Sequence, residues 1–320
     1  MKHFVCIFSV LSVVGCGSAK PAPQIPASRG HLWSTAIYAN EIVSTSLDDG
    51  SSTKVPVGES PIGIVLHEAT GRLFVSMHQS NELWVLDATT HALLGKPPVG
   101  DKPYWVWPDT AHDKVVVANS GGASFSIIDP VSLQTEKTLS VEGDPIGFEF
   151  WDEERTLFFA DYLKNKVLCV SADDGQTKWK DESLNAPIWV ALDKAGGRLF
   201  VAESGANAVV VLDARTGAFQ SRVKVGSSPT GLLVSNASGH WVVMNHLSNT
   251  LAVYRLSDLG LAKELPVGKN PVGGLLSPDG MTLAVSLSGD DSVALLDLKT
   301  LEVTLRLSVG DGPRGLAWSK

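Results

Sequence analysis

Short apolar runs separated by turn-forming residues are the dominant pattern of this chain. Mostly apolar runs at 274–276, 282–286, 292–296 and 303–307 are separated by polar or turn-forming stretches such as Ser-Pro-Asp-Gly at 277–280. Runs of this length, bounded by Gly, Pro, Asn and Asp, are typical of β-strands joined by tight turns. No long stretch repeats its apolar residues with a helical period, so the pattern predicts an all-β chain.

The strand pattern repeats every 42 residues, and a proline marks the same place in each repeat. The prolines are Pro61, Pro103, Pro145, Pro187, Pro229, Pro271 and Pro313. An Asx column follows at Asn81, Asn165, Asn207, Asn249 and Asp291, and acids close a strand at Asp87, Asp129, Asp213 and Asp297. Four short strands in about 40 residues are the unit of a β-propeller blade.

Seven repeats form a ring only if the two ends of the chain combine. The last repeat phrase, VGDGPRG, is followed by one strand, whereas residues 31–35, 40–43 and 52–55 supply three strands at the start. We therefore predict a seven-bladed β-propeller of four-stranded antiparallel blades, in which N- and C-terminal strands share the seventh blade. Sharing a blade also removes the sheet edges that unpaired terminal strands would expose.

The first thirty residues are predicted to export and anchor the protein. An apolar run at residues 4–14 is shorter than the about 20 residues that a transmembrane helix needs. It leads into Val-Val-Gly-Cys at 13–16, which resembles the bacterial lipobox and implies lipidation of Cys16. Cleavage after Ala19 by an ordinary signal peptidase is the alternative.

The predicted organisation is therefore a lipoprotein signal peptide at 1–15, a tether rich in Pro, Ala and Ser at 16–30, and the propeller at 31–320. We expect an exported protein, lipid-anchored in the bacterial envelope on the outer membrane or facing the periplasm. The N-terminal lipid would be its contact with the membrane.

Composition and charge limit the kinds of partner and site that the chain is expected to have. The net charge is −8 and Lys and Arg form no basic cluster, so nucleic-acid binding is not expected. Cys169 has no partner within the domain and is predicted to be a buried, inert thiol. Nucleophile-elbow, phosphate-loop and His-Glu-x-x-His motifs are absent from the sequence, as is Cys-x-x-Cys-His, so no catalytic residue, metal site or cofactor is predicted. We expect a monomer.

The repeat is similar to that of the bacterial YVTN β-propeller family. The resemblance rests on Val-Val-Ala-Asn at 116–119, Asn-Ala-Val at 207–209, Leu-Asp at 212–213 and Ser-Pro-Asp-Gly at 277–280, and it covers residues 31–320. It implies the propeller fold. The family includes surface, binding and enzymatic members, so the resemblance does not select one function.

The place two residues after each proline holds the main candidate site. Five repeats have Gly there, which permits close backbone approach and a positive φ, but the other two have Trp105 and Trp189. Together with Tyr104, the two tryptophans would form an aromatic wall at the channel mouth, where propeller ligands usually enter. Alternatively, they fill the space between blades, and this packing interpretation is the favoured one.

Polar residues at the same face form a second candidate set. His78 and His246 share one repeat column, and Asp161 and Glu203 lie one column earlier. They would either converge on a substrate or cation, as in lactonase-type propellers, or bond to neighbouring backbone at strand ends; the second interpretation is favoured.

Arg314 would either face an anionic ligand or be solvated. Glu149 interrupts an apolar column and is either a paired buried carboxylate or a channel group.

Two functions follow from these candidates. The first is a non-enzymatic binding or scaffold module whose small-molecule ligand or protein partner sits at the channel mouth; the uniform 42-residue spacing leaves no lid or long active-site loop. The alternative is a lactonase-like hydrolase or lyase that uses the acids and histidines of the mouth, with or without a divalent cation.

Overall fold

The computed structural model describes residues 30–319, and these residues form seven four-stranded antiparallel sheets arranged as a β-propeller. The predicted signal peptide, Cys16 and all of the predicted tether except Gly30 lie outside the described residues. No helix within residues 30–319 is long and apolar enough to cross a bilayer.

The first strands in chain order belong to blade 7 and are followed by blades 1 to 3. Blade 7 begins with β1 (His31–Ala36), β2 (Glu41–Ser46) and β3 (Ser52–Pro56). Blade 1 contains β4 (Pro61–His67), β5 (Arg72–Met77), β6 (Glu82–Asp87) and β7 (Leu93–Gly95). Blade 2 contains β8 (Pro103–Asp109), β9 (Lys114–Asn119), β10 (Ser124–Ile128) and β11 (Thr135–Ser140). Blade 3 contains β12 (Phe148–Trp151), β13 (Thr156–Asp161), β14 (Lys166–Ser171) and β15 (Thr177–Asp181).

Blades 4 to 6 follow the same order, from the innermost to the outermost strand. Blade 4 contains β16 (Pro187–Asp193), β17 (Arg198–Glu203), β18 (Ala208–Asp213) and β19 (Phe219–Lys224). Blade 5 contains β20 (Pro229–Ser235), β21 (His240–Asn245), β22 (Thr250–Arg255) and β23 (Leu261–Pro266). Blade 6 contains β24 (Pro271–Leu276), β25 (Thr282–Leu287), β26 (Ser292–Asp297) and β27 (Glu302–Ser308), and β28 (Pro313–Ser319) completes blade 7.

The ring closes where the last strand of the chain pairs with the first. β28 is the innermost strand of blade 7 and pairs antiparallel with β1, so that His31 lies opposite Ser319 and Ala36 opposite Pro313. This confirms the predicted seven-bladed fold and its shared seventh blade.

The core consists of seven apolar clusters, one between each pair of neighbouring blades. Between blades 3 and 4, for example, Phe158 and Cys169 of one sheet pack with Leu199 and Val201 of the next. Because each sheet is covered on both faces, its middle strands carry nearly continuous runs of buried residues. Burial also raises the pKa of the Cys169 thiol to about 12, because the thiolate would lose its hydration.

The glycines that follow the repeating prolines allow neighbouring blades to approach closely. A Cβ on Gly63 would lie 2.6 Å from the backbone oxygen of Tyr104, and a Cβ on Gly315 would lie 2.3 Å from that of Ile62. None of the five glycines in this column has a positive φ. Of the two reasons expected for glycine here, close approach is therefore the one that applies.

Positive φ occurs instead in the Asx column. Asn81, Asn165, Asn207, Asn249 and Asp291 all have φ between 49° and 59°. Asn and Asp tolerate this region, and each of these side chains also accepts a hydrogen bond from a backbone N–H in the connection to the next blade. The column therefore holds each connection in place.

Blade 2 lacks this device, because Ala123 occupies the Asx position. Ala123 has φ 43° and no side-chain acceptor, and the N–H of Asp144 in the connection to blade 3 bonds Asp161 Oδ2 instead, at 3.1 Å. The innermost strand of blade 3 then begins at Phe148 rather than at Pro145. The connection into blade 3 is thus looser than its counterparts.

Candidate functional site

The connections between blades and the turns between second and third strands share one face of the ring, here called the mouth face. Backbone hydrogen bonds tie the two together: the N–H of His78 donates to Ser60 O at 3.0 Å, and that of His246 donates to Ser228 O at 3.0 Å. The mouth face is therefore the place where both candidate sets of side chains meet.

A cavity of about 160 Å³ lies at the centre of the mouth face and is called the central cavity. It is lined by the residue that follows each repeating proline: Ile62, Tyr104, Ile146, Ile188, Thr230, Val272 and Arg314. Trp105, Trp189, Gly273 and His246 complete the lining. Five predicted site residues are thus brought together: the three aromatic residues, His246 and Arg314.

Trp105 and Trp189 meet above Gly147 of the intervening blade. Their ring centroids are 4.8 Å apart with the planes at 87°, an edge-to-face contact. A Cβ on Gly147 would lie 2.7 Å from Trp189 Cε3, so the contact depends on that glycine. Both indoles are half-buried, pack on core clusters and line the central cavity. The two tryptophans therefore pack against the core and also expose ring surface to the central cavity.

Arg314 is the charged group of the central cavity. Among residues 30–319 its guanidinium makes no ion pair or hydrogen bond, and its Nε is buried without a partner. Its backbone oxygen accepts a hydrogen bond from Ser286 Oγ at 2.9 Å. A buried donor without a partner carries a desolvation cost of about 1–3 kcal/mol, more for a charged group, which an anionic ligand would offset.

The two histidines occupy equivalent positions, and in both of them the pKa is lowered, which favours the neutral imidazole. Burial lowers the pKa of His246, and the nearby charge of Arg314 lowers it further. Burial likewise lowers the pKa of His78, whose ring meets Tyr104 edge to face at 5.5 Å. Nδ1 of each ring is buried without a hydrogen-bond partner, whereas Nε2 of His246 lies 3.2 Å from Asn270 Nδ2.

Asp161 and Glu203 are fully buried, and their carboxyl groups accept hydrogen bonds from backbone N–H groups. Asp161 accepts the N–H groups of Asp144 and Lys164, and Glu203 accepts that of Asn185 at 2.9 Å. Glu203 also lies 3.0 Å from Arg222 and lines neither cavity of the mouth face.

A second cavity of about 410 Å³, here called the side pocket, adjoins the central cavity and shares Tyr104, Ile146 and Ile188 with it. His78 and Asp161 line it, together with residues that the sequence reasoning did not select: Lys102, Ser120, Gly121, Asp144, Tyr162 and Leu163. Their only signal in the sequence was the missing Asx residue at position 123, which marks the irregular connection beside this pocket.

Glu149 lies on β12, the innermost strand of blade 3, and is half-buried. No hydrogen bond or ion pair to it is found within residues 30–319. Desolvation raises the pKa of its carboxyl from 4.5 to about 8, against the opposing charge of Lys194. The interpretation as a paired buried carboxylate is therefore not supported, and Glu149 also lines neither cavity of the mouth face.

The described residues do not provide a cluster of side chains suited to binding a metal ion. Within residues 30–319, no three or more His, Cys, Asp or Glu side chains are grouped so that they could hold an ion. A divalent cation in the manner of lactonase-type propellers therefore does not fit the described side chains.

No protein-family model and no curated protein sequence matches the chain. Solved structures do match. A protein from Lactobacillus plantarum has a TM-score of 0.76 at 18% identity, with 91% of this chain and 100% of that chain covered. A candidate 6-phosphogluconolactonase from Bacteroides uniformis has a TM-score of 0.72 at 14% identity, with 91% and 99% covered. Virginiamycin B lyase from Staphylococcus aureus has a TM-score of 0.67 at 15% identity, with 80% of this chain and 87% of that chain covered. At these identities the likeness concerns the propeller fold alone.

Proposed function

We propose that this propeller is a binding module that takes a carboxylate or similar small anion, joined to an apolar body, at the channel mouth. The observation that carries the proposal is the unpaired Arg314 guanidinium in a cavity that is otherwise mostly apolar and aromatic. Arginine binds carboxylates through two parallel N–H groups, and such bonds are stronger than those between neutral groups.

The aromatic pair supplies the apolar half of the site. Trp105 and Trp189 lie in the same lining as Arg314 and present indole surface to whatever occupies the cavity. The lowered pKa of His246 favours its neutral form, which leaves Arg314 as the charged side chain among the described residues that line the central cavity. An anion with an attached apolar group therefore matches the lining better than a cation or a sugar does.

The module is further proposed to be an exported lipoprotein of the YVTN-type propeller family. The support is the Val-Val-Gly-Cys stretch at 13–16 and the repeat phrases themselves. Cys16→Ser should abolish labelling by a palmitate analogue and release the protein from membranes, while Cys169→Ser should leave both unchanged. Labelling that persists in Cys16→Ser would contradict the anchor.

The binding proposal is tested with phenylacetate as probe and thermal unfolding as readout. A ligand at about 100 times its Kd stabilises the native state by about 2.7 kcal/mol, which raises the Tm. We expect phenylacetate to raise the Tm of the wild type and of Arg306→Gln, an exposed arginine on β27, but not of Arg314→Gln. Equal shifts in all three proteins would refute the role of Arg314.

A hydrolase or lyase is the second candidate, favoured by one observation. His246 lies in the same cavity as Arg314, and its lowered pKa favours the neutral imidazole, the form that is able to accept a proton. Turnover of anionic lactones or esters that is lost in His246→Gln, in a variant that still binds phenylacetate, would establish this function. Turnover unaffected by His246→Gln would exclude this histidine as the base.

A further inference from the structure

Building on the proposed function, we propose that the natural occupant of the mouth is a second protein. One acidic side chain of that partner enters the central cavity beside Arg314, and apolar side chains next to it in the partner lie on the rim and in the side pocket. Four observations carry this inference: the exposed apolar rim, the size of the central cavity, the distribution of charge and the face at which the described chain begins.

The rim of the mouth face carries large apolar side chains that are open to solvent. Tyr38, Tyr162, Leu163 and Leu247 are 67%, 40%, 76% and 64% exposed. All four lie in turns between second and third strands, and the N–H groups of Tyr38 and Leu247 bond to connections of this face. Exposed apolar side chains gathered around a recessed arginine and aromatic residues are typical of protein-binding surfaces, where Trp, Tyr and Arg carry most of the binding energy.

The central cavity has the size of a side chain rather than of a typical ligand. Its volume is about 160 Å³. Small-molecule sites usually measure about 300–1,000 Å³ and bury most of the ligand. The adjoining side pocket, at about 410 Å³, reaches that range, whereas the central cavity by itself does not. A Glu or Asp side chain fits such a space and brings the carboxylate that Arg314 lacks.

The side pocket offers a place for the neighbouring residue of the partner. It adjoins the central cavity through Tyr104, Ile146 and Ile188, and its outer wall includes Tyr162 and Leu163. An extended segment whose acid enters the centre would bring an adjacent apolar side chain over this wall. Lys102 also lines the pocket and forms no ion pair among the described residues, so it adds a second positive charge near the acid.

Charge at the mouth favours a single acid with uncharged neighbours. Arg314 lies in the central cavity, whereas Lys102 is exposed at the side pocket, whose lining also includes Asp144 and Asp161. On the surrounding connections, the exposed acids Glu59, Asp101 and Asp311 outnumber the exposed Lys269. These acids would repel a strongly acidic segment and also an anionic bilayer, which attracts clusters of Lys and Arg.

The start of the described chain also argues against a bilayer as the occupant. Gly30 accepts a hydrogen bond from Leu47, and β1 then runs from His31, opposite Ser319, to Ala36, opposite Pro313. The chain therefore enters the propeller at the face away from the mouth. The predicted tether would therefore join the propeller on the side opposite the mouth.

The test uses the full chain and an array of short peptides with blocked ends, in which one Glu is flanked by Leu, Phe, Trp or Ser. We expect Glu peptides with apolar neighbours to bind, and their Glu→Gln versions to bind at least about tenfold more weakly. Arg314→Gln should cause a similar loss, with Arg306→Gln as control. Leu163→Ser and Leu247→Ser should weaken binding several-fold, whereas Leu261→Ser, at a leucine on β23 that is 50% exposed, should not.

Each other outcome would overturn the inference in a recognisable way. Phenylacetate binding through Arg314 without any peptide binding would leave the proposed function standing and remove the protein partner. Failure of both probes would refute both proposals. Self-association that is lost in Leu163→Ser would make a second copy of this chain the occupant. Binding to phosphatidylglycerol vesicles that is lost in Leu163→Ser, with no peptide bound, would make it a lipid surface.

Discussion

Trp105 and Trp189, from blades that are not adjacent, meet edge to face above Gly147 with their ring centroids 4.8 Å apart. We expect this contact to couple blades 2 and 4. In a double-mutant cycle with Trp105→Leu and Trp189→Leu, the coupling in the free energy of unfolding should be about 0.5–1.5 kcal/mol. Urea denaturation of the four proteins measures it. Additive losses would mean that the two indoles pack independently.

The same variants separate packing from ligand contact. Both indoles line the central cavity, so each single variant should also bind phenylacetate more weakly than the wild type. Titration by calorimetry at a temperature well below unfolding gives the affinities. Unchanged affinity together with lowered stability would mean that the tryptophans only pack.

Ala123 is the defective member of the Asx column, and Ala123→Asn should stabilise the protein. An Asn tolerates the positive φ of 43° better than Ala does. Its side-chain oxygen would also take over the N–H of Asp144 from Asp161, as its counterparts hold the connections of other blades. Because that hydrogen bond is exchanged rather than added, the gain in the free energy of unfolding comes from the backbone and is expected to be at most about 1 kcal/mol. Chemical denaturation measures the gain. The reverse change, Asn207→Ala, should cost a comparable amount, and a gain in both variants would refute the role of the column.

Glu149 should make stability fall as the pH rises. Its pKa of about 8 in the folded protein exceeds the ordinary value of 4.5, so between these values the native state holds a proton that the unfolded chain has lost. The contribution of this carboxyl to the stability of the protein is therefore complete below about pH 4.5. It is lost as the pH rises toward 8, by at most about 1.4 kcal/mol per pH unit.

Glu149→Gln should remove this slope and raise stability at pH 8, because the amide is neutral at every pH. Denaturation at several pH values between 5 and 8 measures the slope. Glu302→Gln, at an exposed glutamate on β27, serves as control and should keep the slope of the wild type. An unaltered slope in Glu149→Gln would assign the pH dependence to other groups.

Cys169 should resist thiol reagents in the native protein. Its thiolate is the reactive form, and burial raises the pKa to about 12. In a chain with Cys6→Ser and Cys16→Ser, reaction with Ellman's reagent should be slow at pH 8 and become fast in denaturant. An added Ser52→Cys on the exposed part of β3 should react at once. Fast reaction of native Cys169 would indicate frequent opening between blades 3 and 4.

The fold was predictable because every blade repeats the same local chemistry. The prolines, the Asx residues and the acids keep constant spacing, and the strand bounds in blades 6 and 7 follow from them within one or two residues at most ends. The late start of β12 at Phe148 was not predicted. It accompanies Ala123, the one blade-to-blade position from 81 to 291 where the Asx acceptor is missing, about twenty residues earlier in the chain.

The candidate site was predictable where a residue departs from its column. Trp105, Trp189 and Arg314 stand out against glycine or aliphatic residues at the same place, and the structure brings them into one cavity. Glu203 stood out equally but bonds Asn185 and Arg222 outside both cavities of the mouth. The position of a residue in the repeat predicts how near it lies to the mouth face. Whether its side chain points into a cavity depends on residues of other blades, which come close only in the folded ring.

Arg314 belongs to β28, the final strand of the chain and the one that closes blade 7 against β1. The charge that the mouth would offer to a partner is therefore in place only when β28 has paired with β1 and closed the ring. A fragment that stops before Pro313 would retain six complete blades and both tryptophans, yet it would present no guanidinium in the central cavity. Under the proposal made above, binding of an acidic side chain would thus report ring closure.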